Sequence, residues 1–200
     1  MHLKQTNLIL PCVLNWMVDT AFEKIDDTYS TPTCKVSRRK AMDFADSGRV
    51  DHNGTLTVFG QIITELEKED SDMSNFRKKG TDKKCFSVKF LGEGGEDAGG
   101  LFRDCLVNIA QELESPALPL LVKSPNNKND HGNYRECFIL NSQAKSPTHL
   151  RMFKYLGAFL GYCIVTKSPF PLNLVPTFWK ELGGQAMTLE DLNSVDTYSY

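Results

Sequence analysis

The segment Cys85–Ser115, CFSVKFLGEGGEDAGGLFRDCLVNIAQELES, holds the change of period that decides the fold. Phe86, Val88 and Phe90 alternate with Ser87 and Lys89, the two-residue repeat of a half-buried strand. Phe102, Leu106, Ile109 and Leu113 then recur at steps of four, three and four, which draws one apolar stripe along a helix. Gln111, Glu112 and Glu114 are expected on its watered side, and Pro116 ends it. The turn between them is glycine-rich and acidic, with Glu93, Glu96 and Asp97 read as turn and cap residues.

Strand, glycine turn and helix also open a phosphate-binding unit. A P-loop needs a lysine and a hydroxyl after its second glycine. Gly94 and Gly99 have that spacing, but Gly100 and Leu101 stand where those groups belong. The dinucleotide pattern starts at Gly92 and Gly94 and breaks at Asp97. The three carboxylates would also crowd a polyanion at a helix N-terminus, where the dipole supports one anion.

Ahead of this segment, Leu8–Val18 is an apolar run too short to span a bilayer and broken by Pro11 and Asn15. It is expected to be a helix packed on the domain or on an upstream part. Thr28–Thr33 reads as a turn, and Lys35–Lys40 as a basic structural face. Ser47-Gly48 and Asn53-Gly54 mark a loop, and a helix follows from Thr55 with Val58, Ile62 and Leu66 in step. Residues 70–84 are polar and read as a loop.

Beyond Pro116, LPLLVKSPN ends in turn chemistry, Asn126–Asn133 reads as a hairpin loop, and Tyr134–Leu140 returns as a strand. Ser146-Pro147 offers a cap and a first-turn proline for a helix over Thr148–Lys167. This helix carries apolar residues all the way round from Met152 to Val165, so it is expected to be the most buried element. Gly157 and Gly161 would let a neighbour approach closely. Trp179 and Leu182 lie on a short helix closed by Gly183-Gly184, and Thr188 caps another.

VKFLGEGGEDAGGLFRDCL resembles the N-lobe signature of HECT-type ubiquitin ligases, V-x-F-x-G-E-x-G-x-D-x-G-G followed by a helix. ELESPALPLLVKSPN, HLRMFKYLGAFLGYCIV and NLVPTFWKELGGQAMTLEDLNSVD resemble later blocks of that family, in its order. TVFGQ (Thr57–Gln61) and the pair Pro125–Asn126 resemble the HERC branch. The resemblance covers Lys35 to Asp196. It implies an α+β, helix-dominated N-lobe with a few short strands and hairpins. Residues 1–34 would be an N-terminal extension, and 35–200 a partial HECT domain ending before the E2-binding subdomain and the C-lobe.

The resemblance further implies that ubiquitin passes from a conjugating-enzyme thioester to a ligase cysteine and on to a substrate lysine. The implied partners are a ubiquitin-conjugating enzyme, ubiquitin and a protein substrate, met through downstream parts of the domain. The family's cysteine follows a threonine in the C-lobe, whereas Thr33-Cys34 precedes every matched block. No residue of this chain is therefore assigned as catalytic, cofactor-binding or metal-binding, and no cofactor is expected.

Composition agrees with a domain of ordinary kind: 200 residues, 40% hydrophobic, 24% charged and a net charge of −2. That balance offers no electrostatic reason for nucleic-acid or membrane binding. The six cysteines form no C-x-x-C pair and the four histidines no H-x-x-x-H spacing, so a zinc site is not expected. Cys105 and Cys163 lie among apolar helix neighbours. With no secretory signal, reduced thiols in the cytoplasm are the expectation. Three classes stay open: part of a HECT-type ligase, a non-catalytic N-lobe remnant acting as a binding or regulatory module, and an unrelated α+β enzyme using the Gly92–Gly100 loop for phosphate.

Overall fold

Strand β1 (Thr33–Val36) pairs in parallel with β2 (Ser87–Phe90), setting Cys34 opposite Val88 and Val36 opposite Phe90. The computed structural model describes residues 31–69, 73–77, 84–93 and 100–199, so Leu8–Val18, Glu96 and Asp97 lie outside the described residues. Pro32 and Cys34 are buried, so the last residues of the expected extension enter β1. In both strands the alternation becomes one dry face and one wetter face.

Helix α1 (Arg38–Asp46) begins at once, with the Ser37 hydroxyl accepting from the Lys40 amide as its cap. The basic cluster thus divides between the end of β1 and the start of α1, and no apolar period in it announces a helix. Ala41 and Phe44 alone turn inward from α1. Helix α2 (Val58–Glu69) lies against the outer edge of β1. There the Ser37 amide donates to Gln61 Oε1 at 2.8 Å, and the Lys35 amide to Glu65 Oε2 at 3.4 Å. Side chains of a helix therefore satisfy donors that an unpaired strand edge would leave to solvent or to another chain.

Helix α3 (Gly100–Leu113) buries the stripe read from the sequence, Phe102, Leu106, Ile109 and Leu113, together with Cys105. β3 (Leu121–Lys123) then pairs antiparallel with β4 (Phe138–Leu140), with Val122 opposite Ile139. The expected strand over Tyr134–Leu140 shortens to its last three residues, because Tyr134 takes a φ of 53° and breaks the extended run. Asn126–Asn133 is likewise more than a loop. It starts within α4 (Pro125–Asn129), capped by the Ser124 hydroxyl and closed at Asp130 in the left-handed region.

Helix α5 (Pro147–Thr166) is the longest of the described helices, with the Ser146 cap where the sequence places it. Its inward residues include Met152, Leu156, Phe159 and Leu160, and Phe159 meets Phe76 at 5.0 Å and Phe86 at 5.9 Å between ring centroids. The burial is one-sided, although apolar residues run all the way round the helix. Leu150, Lys154, Gly157, Gly161 and Ile164 form an exposed stripe at helical spacing. A Cβ on Gly157 or Gly161 would meet nothing within 4 Å among the described residues, so none of these packs closely on the two glycines. Helices α6 (Pro176–Leu182) and α7 (Leu189–Val195) complete an α+β, helix-dominated architecture. Among the described residues no helix is long and apolar enough to cross a membrane.

Candidate functional site

The TVFGQ segment is a seat for the N-terminus of α2. The Asp51 side chain curls under it and accepts from the amides of Thr55, Leu56 and Thr57 and from the Thr57 hydroxyl. Burial opposes its charge, but these donors prevail and hold its pKa below the ordinary carboxylate value. From α3, Glu112 reaches across to accept from the Val58 amide at 2.6 Å and the Phe59 amide at 2.9 Å. Glu112 thus faces the helix end and not water, contrary to its place on the polar side of the α3 pattern. Burial pushes its pKa up to about 7 against those two donors, and the charge of Asp51 adds to the rise.

The remaining motif residues are equally committed. Gly60 sits against the Gly54 backbone so tightly that a Cβ would collide with the Gly54 carbonyl. Gln61 donates to the Ser37 carbonyl at 3.1 Å and the Leu56 carbonyl at 2.9 Å while accepting from the Ser37 amide. A groove of about 400 Å³ runs between α1 and α3 beside this seat, walled by Ala41, Met42, Ala45 and Ala117 and opening onto Glu112.

The glycine turn after β2 is anchored by α1. Arg38 places its guanidinium 3.8 Å from the centre of the Phe90 ring and binds Glu93 through Nε at 3.0 Å and through Nη2. The first carboxylate of the turn is therefore a structural partner, as its reading as a turn residue requires. Residues 94–99 lie outside the described residues.

A family profile described as "HECT-domain (ubiquitin-transferase)" matches residues 107–200, from within α3 through α7. The E3 ubiquitin-protein ligase HERC2 of Mus musculus is 36% identical over 149 residues, covering 74% of this chain and 3% of that protein. HERC2 of Homo sapiens is 37% identical over 149 residues, with 74% and 3% covered. The E3 ubiquitin-protein ligase RSP5 of Chaetomium thermophilum is 32% identical over 129 residues, covering 64% of this chain and 15% of its own. This chain belongs to the HECT-domain family. Its likeness to HERC2 agrees with the reading of TVFGQ and of Pro125–Asn126. The chain spans only 3% of the length of these HERC2 proteins.

The described thiols of this HECT chain are set inward. Cys34, Cys85, Cys105, Cys137 and Cys163 are all buried. Burial drives the Cys85 thiol well above its ordinary value, Cys163 up to about 12 and Cys137 up to about 11, the last helped by Glu136. A nucleophilic cysteine needs the opposite, an accessible thiol with a lowered pKa. Cys34, the threonine-preceded cysteine, lies 1% exposed in β1 among core residues.

At the other end of the HECT chain, Asn126 ties α4 to α7. Its buried amide donates to the Asn133 and Ser194 carbonyls and accepts from the Thr197 amide at 2.9 Å. Beyond that knot the surface turns apolar: Trp179, Leu182, Met187, Leu189 and Leu192 are all exposed. Asp51, Glu112 and Asn126 had no signal in local periodicity. The nearest hint is the acidic residue ahead of Thr57, a capping type before an apolar run.

Proposed function

We propose that this chain provides the scaffolding part of the N-lobe of a HECT-type ubiquitin-protein ligase, acting with a ubiquitin-conjugating enzyme, ubiquitin and a protein substrate. In that reading residues 1–34 precede the domain and 35–200 belong to its N-lobe, with β1 crossing the boundary. The ubiquitin-carrying cysteine belongs to the C-lobe and not to these residues. The observation that carries the reading is the 36% identity with HERC2 over 149 residues, and the inward setting of the five described thiols supports the division of labour. The place of work is the cytoplasm, where ubiquitin conjugation and reduced thiols go together. Nucleic acid and membrane have no part in it, consistent with a net charge of −2.

The test is a thioester assay. The purified chain is mixed with activating enzyme, conjugating enzymes, ATP and ubiquitin and run on a non-reducing gel. No reductant-sensitive adduct on this chain is expected. Fusing the chain to the remaining N-lobe and the C-lobe of HERC2 should give such an adduct, lost when the C-lobe cysteine is removed. An adduct on the chain alone that disappears with Cys34→Ala would overturn the division of labour. A folded fusion that never charges would favour the second reading, a non-catalytic binding or regulatory module, for which the exposed apolar side chains of α6 and α7 are the supporting observation.

A further inference from the structure

Two carboxylates converge on one helix end, and their settings differ. Asp51 is enclosed by amide and hydroxyl donors within its own loop, which commit it to the charged form. Glu112 comes from a different helix, spans 54 positions of sequence to reach Val58, and uses one oxygen for each of two amides. A proton added to either Glu112 oxygen would turn it into a hydroxyl, a poorer acceptor with its own hydrogen to place beside an N–H, so one of the two bonds must weaken. Among the described residues the charged side chains facing Glu112 are Asp51, from the loop before α2, and Arg38, from α1 across the groove. Arg38 is already held by Glu93 and Phe90, while Asn108 and Gln111 along the same groove are neutral.

We propose that Glu112 is a proton-operated latch between α2 and α3, closed when its carboxylate holds the Val58 and Phe59 amides and half-released when it takes up a proton from solvent. The charged form keeps both bonds but leaves a carboxylate desolvated beside Asp51. The neutral form relieves that burial and weakens one bond. Burial raises the Glu112 pKa to about 7, so the two forms exchange near neutral pH. The latch acts where it has leverage, since α2 also satisfies the outer edge of β1 through Gln61 and Glu65. Its partner across the helix end, Asp51, stays charged throughout, so the device has one moving proton.

The test follows the side-chain carboxyl carbon of Glu112 by NMR in the full chain, together with the Val58 and Phe59 amides. A midpoint at about pH 7 is expected for the carboxyl, with both amide protons shifting at the same midpoint. Glu112→Gln should abolish the transition and speed exchange of one of the two amides about fivefold, the worth of one hydrogen bond. A Glu112 midpoint near the ordinary value of 4.5, or amide shifts that follow another group, would overturn the proposal in the wild-type chain, whether or not the variant folds. Unchanged protection of both amides in a folded Glu112→Gln would overturn it as well.

Discussion

The seat of α2 and the α6–α7 segment place polar and apolar groups in opposite ways. At the seat, Asp51 and Thr57 are buried and bonded to each other, and Val58, Phe59 and Ile62 behind them are core. In α6–α7 the polar groups do the holding: Lys180 pairs with Asp191 at 2.5 Å, Thr188 and Asp191 form a reciprocal capping box, and Leu182, Leu189 and Leu192 face outward. Apolar side chains that a helix leaves exposed add little to the fold, so α6–α7 is held by caps, by Asn126, by Phe178 against the core and by a small cluster of Cys137, Val175 and Val195. The difference teaches that one region is finished within the described residues, whereas the other presents surface of the kind interfaces use.

The largest effect that tests this contrast is Phe159→Ala. The ring is fully buried and touches Phe59, Phe76, Phe86 and Phe170. Its removal should cost about 3–5 kcal/mol in a denaturant titration, and a small loss would mean that the aromatic centre is not the core. The next effect is a pH dependence. Glu112 has a folded pKa raised from 4.5 to about 7, so the folded state binds its proton more tightly than the unfolded chain does. Its contribution is full below 4.5 and is lost as pH rises through 7, by roughly 3 kcal/mol at most. Asp51 behaves oppositely: its contribution is present above 3.8 and is lost as pH falls through its lower folded value. Stability measured against pH in wild type and Glu112→Gln should therefore diverge between 4.5 and 7, and parallel curves would contradict the burial of Glu112.

Gly60→Ala comes next, at about 1–3 kcal/mol, because the new methyl meets the Gly54 backbone, which cannot rotate away. A neutral result in thermal melts would mean that the seat yields. Thr188→Ala should lose about 1 kcal/mol through the cap of α7, read as faster amide exchange confined to α7. The smallest effects carry the opposite sign. Gly157→Ala and Gly161→Ala lie on open helix surface, so each should stabilise α5 by up to about 1 kcal/mol. Destabilisation by either would show that a neighbour does pack against that stripe.

Much of this fold is legible in period and caps alone. The alternation at Phe86–Phe90, the four-three-four stripe of α3, the Ser146 cap of α5 and the Thr188 cap of α7 are local patterns, and each lies where the sequence puts it. They are legible because a strand or helix repeat, and a cap within three residues of its amide, depend on near neighbours only. The signature and TVFGQ likewise pointed to the HECT family before any coordinate. Tertiary structure alone decided the rest. Glu112 looks solvated in its helix period and becomes the clamp of α2 because α3 passes that helix end, 54 positions away in sequence. Asn126 looks like a loop residue and becomes a buried knot through Ser194, 68 positions away. The outer stripe of α5, with Leu150 and Ile164 exposed, shows the converse: a period reports which side chains share a face, but only packing decides which face is covered.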